Sequence, residues 1–240
     1  MGKIDAEYLR NLDEILKSGD DAEEEENEAI VTSDVVEGNI TSDDVRSAEQ
    51  ALLYLVVDKS GSMYNNGLEA GVVEGLKEVK SLVSCVKERK NIQTAMTFFG
   101  TTLDMRPFQY GENIDISYEA NEGETHLYDA IVKSANNMLY QYKEIGKANL
   151  VKGVMLIITD GAENGSQEYS ESDVANVLEQ LKEKEIPVLL ASFEKADLSS
   201  FSKKFGYIQT VKFKNEHQLR AMMKFVTDHA MDRNEYHHLT

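Results

Sequence analysis

From residue 51 onward, continuously apolar runs alternate with segments whose apolar residues recur every three or four positions. The first run, ALLYLVV, has no polar interruption, which is typical of a strand covered on both faces of a parallel sheet. The segment 68–86 follows with the spacing of one long amphipathic helix. This alternation of strand and helix predicts an α/β fold.

The same unit repeats along the rest of the chain. Further strands are predicted at IQTAMTFFG, LDMRPFQY, GVMLIIT, IPVLLAS and YIQTVKF, and Pro107 should end or edge the second of these because proline cannot donate to a sheet. Helical spacing predicts helices over 127–142, 174–181 and 219–226, and a short one at LSSFSKKF. The predicted fold is a doubly wound, mostly parallel central sheet with helices on both faces, preceded by an acidic N-terminal arm.

Charge separates the arm from the domain. Residues 1–48 carry 15 acidic and 4 basic side chains, a balance of −11 out of the −18 of the whole chain. We therefore expect an arm at 1–48, a domain at 49–232 and a short tail at 233–240. A net charge of −18 argues against general affinity for nucleic acid or anionic membrane, which depends on clustered Lys and Arg.

The arm contains a short helical pattern followed by a run of like charges. Ile4, Tyr8, Leu12, Ile15 and Leu16 recur at helical spacing, and GDDAEEEENE then interrupts them. The plain interpretation is a short amphipathic helix on a largely flexible, solvated tether. The alternatives are a helix that docks a partner and an acidic strap that folds back on the domain.

Cysteine content and hydropathy indicate the cellular setting. The chain has a single cysteine, its N-terminal segment lacks the apolar core of a signal peptide, and no apolar run approaches the ~20 residues that cross a bilayer. We expect a soluble, cytoplasmic protein whose macromolecular partners are other proteins.

Oxygen-bearing side chains follow two of the predicted strands. DKSGS supplies Asp58, Ser60 and Ser62 after the first strand, TDG supplies Asp160 after the central strand, and Thr125 lies in a loop before a predicted helix. Doubly wound sheets form their sites at the carboxyl ends of the strands, so these groups are expected to meet. Carboxylates and hydroxyls suit a hard divalent cation, with magnesium (Mg²⁺) preferred over Mn²⁺ or Ca²⁺ because it keeps waters that a visiting group can replace.

DKSGS, Thr125 and TDG together resemble the metal-ion-dependent adhesion site (MIDAS) of a von Willebrand factor type A (VWA) domain, and the similarity in pattern spans about residues 50–230. The resemblance implies that Ser60, Ser62 and Thr125 coordinate the cation directly when ligand is bound. It implies that Asp58 and Asp160 act closely or through water. The metal would then remain electrophilic and bind a glutamate or aspartate of a partner protein.

The resemblance also suggests a biological role. The single-domain form and the segments DKSGSM and THLYDA resemble intracellular bacterial VWA proteins, which often act as adaptors or co-chaperones for ring-forming ATPases or belong to stress and tellurite-resistance clusters. The resemblance implies a ring-forming ATPase or a multiprotein complex as the partner. Lys59 departs from the small residue that adhesion receptors carry at this position. Alternation along an extended segment should point it away from Asp58 and Ser60.

Acidic residues surround the predicted site in the sequence. Segments 111–124 and 160–173 each contain five acidic residues and no basic ones. We therefore expect a partner that presents one acidic residue ringed by Lys and Arg.

Other residues near the motifs have plainer expected roles. Residues 64–67 are expected to form a turn, and His126 is expected to be an exposed loop histidine. Asp129 should lie in the first turn of its helix as a partner of the helix dipole, so it is not counted among the ligands. Thr125 could also serve as a simple helix cap.

No motif of an enzyme is present: the chain lacks a phosphate-binding loop, a Gly-x-Gly-x-x-Gly turn and a Gly-x-Ser-x-Gly elbow. The sequence favours a non-enzymatic, metal-dependent protein-interaction module that acts as an adaptor or assembly factor. One alternative is a structural subunit of a phage or defence complex that binds through its arm. The other is a metal-dependent hydrolase, for which Glu163 and His126 are the candidate general bases. A further hypothesis is that the glutamates at 23–28 occupy the metal in cis or in a neighbouring molecule.

Overall fold

Six strands and six helices make up the domain in this computed structural model, which describes residues 49–85, 92–147, 149–161, 163–194 and 199–232, together with Glu14. The rest of the arm and the tail at 233–240 lie outside the described residues. The strands are β1 Glu49–Asp58, β2 Ile92–Phe99, β3 Leu103–Tyr110, β4 Leu150–Thr159, β5 Val188–Phe193 and β6 Gln209–Phe213. The helices are α1 Gly61–Asn65, α2 Glu69–Cys85, α3 Leu127–Ile145, α4 Glu171–Glu183, α5 Ser199–Lys204 and α6 Glu216–Asp232.

The strands form one sheet in the order β3-β2-β1-β4-β5-β6. All neighbouring pairs are parallel except β2 and β3, which are antiparallel. Pro107 lies in β3 at the edge of the sheet, and the pairing shifts register between Thr94 and Met96 of β2. The predicted mostly parallel, doubly wound α/β sheet is confirmed, as is the edge position of the strand with proline.

Alternating side chains of β1 pack into two separate hydrophobic cores. Leu53, Leu55 and Val57 face a cluster that includes apolar residues of α2 and α6, while Leu52 and Tyr54 face a cluster with those of α3 and α4. All five are fully buried. Each such side chain stabilises the fold by about 1.5–3 kcal/mol relative to its exposed state. The uninterrupted apolar run of β1 therefore follows from its two covered faces.

The strand order reverses between β1 and β4, and this reversal positions the functional region. Successive crossovers leave these two strands toward opposite ends of the sheet, which opens a crevice at their carboxyl ends. Asp58 ends β1 and Asp160 directly follows β4. Within the described part of the chain, none of the helices is long and apolar enough to cross a membrane.

Candidate metal centre

The first loop of the site turns sharply after β1. The backbone N–H of Ser60 donates to Asp58 Oδ1 at 2.8 Å, and α1 begins at Gly61. The N–H of Gly61 donates to the carbonyl of Glu122. A Cβ at Gly61 would lie 3.2 Å from that carbonyl oxygen, so glycine permits the close approach of the two loops.

Three of the predicted ligands are joined directly by hydrogen bonds. Ser60 Oγ and Ser62 Oγ lie 2.9 Å apart, and Ser62 Oγ donates to Asp160 Oδ1 at 2.7 Å. Asn66 Nδ2 donates to the other oxygen of Asp160, also at 2.7 Å. The structure therefore brings the ends of β1 and β4 together through side-chain oxygens, although residues 62 and 160 are far apart in the sequence.

Thr125 lies beside the same loop. Its N–H donates to Asn164 Oδ1 at 2.7 Å, and the N–H of Asn164 donates to the carbonyl of Thr125 at 3.2 Å. A Cβ built on Gly161 would lie 3.8 Å from Thr125 Oγ1. The buried Thr125 hydroxyl is thus next to the residue that follows Asp160.

Asp58 is fully buried and has both carboxylate oxygens engaged. Thr159 Oγ1 donates to Oδ2 at 2.6 Å, opposite the bond from Ser60 to Oδ1. Burial raises the pKa of Asp58 to about 6; the hydrogen bonds from Thr159 and Ser60 oppose this rise, and the nearby charge of Asp160 adds to it. A bound cation would favour the ionised form of this carboxyl group.

The donor set fits a hard divalent cation. In the described ranges no three His, Cys, Asp or Glu side chains converge as a metal cluster. The oxygens that do converge belong to hydroxyls and carboxylates, which suit Mg²⁺, Mn²⁺ or Ca²⁺ better than a soft metal. The residues that could hold the cation are Asp58, Ser60, Ser62, Thr125 and Asp160.

Lys59 points away from these oxygens, as alternation predicts. Its Nζ lies 2.7 Å from Glu122 Oε1 and donates to Thr102 Oγ1 at 3.2 Å. Thr102 in turn donates through both its N–H and its hydroxyl to Glu122. Lys59 therefore ties the first loop to the second, and its charge is balanced within the domain.

Fewer exposed acidic side chains lie around the site than the sequence predicts. Glu112 follows the end of antiparallel β3, at the edge of the sheet opposite the site. Internal ion pairs engage several other acidic residues: Asp115 with Arg106, Glu122 with Lys59, Glu168 with Lys133 and Glu171 with Lys204. Exposed acidic side chains beside the second loop are mainly Glu119 and Glu124.

Of the two expectations about the start of α3, the one for His126 is wrong, and the position of Asp129 in the first helical turn is confirmed. His126 is only 6% exposed, because its ring packs against Gly165, where a Cβ would collide with it. Asp129 is also buried, and its carboxylate accepts the N–H groups of residues 167–169 at 2.8–3.1 Å. It therefore anchors the loop after β4 and is more than a partner of the helix dipole.

The predicted turn at 64–67 is partly helical. Tyr64 and Asn65 belong to α1, and Asn66 and Gly67 form the turn, where Gly67 has φ +70°. Such a φ favours glycine. The sequence assigned Asn66 only to a turn. It did not predict the hydrogen bond by which Asn66 supports Asp160, because that bond joins residues far apart in the sequence.

Three other supporting residues were also missed. Thr159 is adjacent to Asp160 in TDG, and its hydroxyl at the end of a strand was the available signal. Asn164 holds Thr125 across loops. The Tyr118 hydroxyl donates to the carbonyl of Asp58 at 2.6 Å, and burial raises its pKa, so it remains a donor. No local pattern predicts the long-range contacts of Asn164 and Tyr118.

Neither protein-family models nor curated proteins match this chain. Solved structures do resemble it. The pilus adhesin SpaC from Lactobacillus rhamnosus GG superposes with a TM-score of 0.59 at 11% identity over 79% of this chain. Proximal thread matrix protein 1 (PTMP1) from the mussel byssus, described with a zinc-occupied MIDAS motif, gives 0.55 at 18% identity over 76% of the chain.

The D319A mutant of the PilB minor pilin from Streptococcus sanguinis gives a TM-score of 0.54 at 12% identity over 79% of this chain. The chain has the fold of a VWA domain. It spans only 31% of SpaC, 48% of PTMP1 and 63% of PilB, so each of these proteins contains further structure. At these identities the comparison establishes the VWA fold, and the chemistry of the site depends on the residues of this chain.

Proposed function

We propose that this VWA domain binds an acidic side chain of a partner protein through a divalent cation. The observation that supports this proposal is the hydrogen-bonded series Ser60, Ser62 and Asp160 at the junction of β1 and β4. The zinc-occupied MIDAS described for PTMP1 lends support from a protein of similar fold. The proposed ligands are Ser60, Ser62 and Thr125, with Asp58 and Asp160 close by or bonded through water.

Magnesium is the proposed physiological cation, with manganese or calcium as alternatives. When bound, it supplies an electrophilic centre to which a carboxylate of the partner coordinates. Asp58 contributes from a buried position fixed by Thr159 and the Ser60 N–H. Asn66 fixes the orientation of Asp160. Supporting bonds of this kind normally matter for metal affinity almost as much as the ligands.

The surface beside the first loop supports the proposal that the partner carries a basic residue next to its acidic group. Tyr64 is 63% exposed and, with Glu69 and Glu119, lines a shallow depression of about 460 Å³ next to Gly61. An exposed aromatic ring flanked by carboxylates suits a basic side chain through cation–π and ionic contacts. The proposed partner therefore carries an acidic residue with Lys or Arg beside it, and binding should weaken with salt.

A non-enzymatic role is part of this proposal. Glu163, one candidate general base, accepts hydrogen bonds from the N–H groups of Tyr128, Gly165 and Ser166 and from the Ser166 hydroxyl. His126, the other, is buried against Gly165 and contacts Glu124. Both side chains are used to hold loops, which favours a binding role over hydrolysis.

The proposed setting is the cytoplasm, with the domain as an adaptor or assembly factor. A ring-forming ATPase or another multiprotein complex is the proposed class of partner, and neither nucleic acid nor membrane is expected to bind because the chain is strongly acidic. The second candidate function is a structural subunit that binds through its arm. The concentration of acidic residues at 1–48 supports it.

Capture of partners from host lysate tests the proposal. The wild-type chain is compared with Ser60→Ala/Ser62→Ala, each with Mg²⁺ and with a chelator. The matched control is Ser81→Ala, which changes an exposed serine in the last turns of α2. We expect one partner to be lost from the site variant and from every chelated sample, and to be kept by the control. A partner that binds regardless of metal and site residues would instead support binding through the arm.

A further inference from the structure

A second feature lies at the opposite edge of the sheet from the metal centre. The last turns of α3 and α4 leave a groove of about 590 Å³ between them. Leu139 and Tyr142 form its apolar part, and both are half-buried against the core. Its polar lining consists of Lys143, Lys147, Lys184, Gln180 and Glu183. The groove therefore combines an apolar floor with a border in which three lysines outnumber one glutamate.

Two of these lysines are available for an external carboxylate. Lys147 is paired with Glu144 at 2.7 Å. Among the described residues, no carboxylate lies within ion-pair distance of Lys143 or Lys184, and both side chains are exposed. The two come from different elements, since Lys143 is in α3 and Lys184 directly follows α4.

The N-terminal arm enters the domain next to this groove. Glu49, the first residue of β1, pairs with Leu150, the first residue of β4. Leu150 is 52% exposed. Gly146, which lines the groove, is four residues before Leu150, so the two lie within about 14 Å of each other. The 48 residues of the arm therefore begin their path at the groove's edge of the sheet.

The sequence of the arm complements the groove. At 100° per residue, Ile4, Tyr8, Leu12, Ile15 and Leu16 share one side of the predicted helix. Glu7 and Glu14 lie beyond one border of this side and Asp13 beyond the other. Glu14, the one described residue of the arm, is helical and exposed.

We propose that residues 4–16 of the chain's own arm dock in the lysine-bordered groove between α3 and α4. The apolar side of the segment would cover Leu139 and Tyr142, and its acidic residues would reach Lys143 and Lys184. The 32 residues at 17–48 connect the segment to β1, which gives it an effective concentration on the order of millimolar. Even a weak contact is then well populated.

Charge favours this groove over the metal edge as the docking site. The metal edge carries the exposed Glu119 and Glu124 and has its nearby lysine, Lys59, paired with Glu122. An acidic arm would be repelled there unless it reached the cation itself. Docking in the groove leaves the metal edge open, so this inference stands whether or not the proposed function is correct.

Zero-length carbodiimide cross-linking of the full chain tests the proposal, because it joins a carboxylate only to a lysine in contact with it. We expect mass spectrometry to find residues 5–14 linked to Lys143 or Lys184 within one molecule. A mixture of unlabelled and ¹⁵N-labelled chains distinguishes links within a molecule from links between copies. Links between copies, or links from the arm mainly to Lys59, would overturn the proposal.

Charge reversal supplies the second measurement. In Lys143→Glu/Lys184→Glu, hydrogen exchange of the amides at 4–16 should accelerate at least about tenfold, because two attractions become repulsions. Leu12→Ser/Ile15→Ser should have the same effect. The matched control is Lys77→Glu/Lys224→Glu, which changes exposed lysines of α2 and α6 and should leave exchange unaltered. Equal exchange in all four chains would overturn the docking.

Discussion

The hydroxyl of Thr159 donates a hydrogen bond of 2.6 Å to the carboxylate of Asp58, joining the last residues of β4 and β1 across 101 positions of sequence. Both groups are fully buried. The bond fixes one carboxylate oxygen, and the Ser60 N–H fixes the other. Asp58 therefore shapes the first loop of the site besides contributing charge to it.

Removing this hydroxyl should weaken both stability and metal binding. In Thr159→Val a buried carboxylate oxygen loses its donor, so we expect the free energy of unfolding to fall by about 1–3 kcal/mol. Thr159→Ser keeps the hydroxyl and should retain most of that stability. Chemical denaturation and Mn²⁺ titration of both variants make the comparison. Equal metal affinity in wild type and valine variant would show that Asp58 is positioned without Thr159.

Metal affinity should depend on pH through Asp58. Its folded pKa of about 6 lies above the usual 3.8, so a cation that requires the ionised form competes with a proton below pH 6. Affinity should fall up to tenfold for each pH unit below about 6 and level off above it. Calorimetric titration from pH 5 to 7.5 measures this slope. Asp58→Asn should flatten it, and a slope that survives in this variant would assign it to another group.

The raised pKa of Asp58 also predicts how the stability of the metal-free domain depends on pH. The folded state binds the Asp58 proton more tightly than the unfolded state between pH 3.8 and about 6. The contribution of this group to stability is therefore present below pH 3.8 and is lost as pH rises through about 6. In chelator, Asp58→Asn should unfold at a higher temperature than wild type at pH 7.5, and added Mg²⁺ should reverse the order. A variant that is less stable in chelator would contradict this.

Asn66 should matter for metal binding and little for folding. Its side chain is exposed apart from the bond to Asp160, so Asn66→Ala should change stability by less than about 0.5 kcal/mol. Loss of a bond that orients a ligand should lower metal affinity by about tenfold. The neighbouring Asn65→Ala, also exposed, is the matched control. The two variants should differ in Mn²⁺ titration while their melting temperatures agree.

Asp129 should be important for the loop after β4. Asp129→Ala leaves three backbone N–H groups without their acceptor, so we expect destabilisation of about 3 kcal/mol. Hydrogen exchange at 167–169 should also accelerate. Glu168→Gln removes only a surface ion pair with Lys133 and should cost less than about 1 kcal/mol. Thermal unfolding of the two variants provides the test.

The repeating strand–helix pattern was predictable because each element carries its own periodicity. β1 and β4 each contain an uninterrupted apolar run, and the fully buried positions of α4, among them Val174 and Leu181, recur at helical spacing. The contact between Ser62 and Asp160 was predictable because doubly wound sheets form their sites at the carboxyl ends of the strands. The bond from Asn66 to Asp160 and the burial of His126 did not follow from any pattern, because they depend on how separate loops pack against each other.

Strand β1 also separates the arm from the candidate metal centre. It is ten residues long, which corresponds to about 33 Å, and it has the arm at its first residue and the candidate metal centre at its last. The residue at which the arm joins the domain and the candidate metal centre are therefore held about 33 Å apart by a single strand of the sheet. A group bound at the cation would leave the base of the arm uncovered.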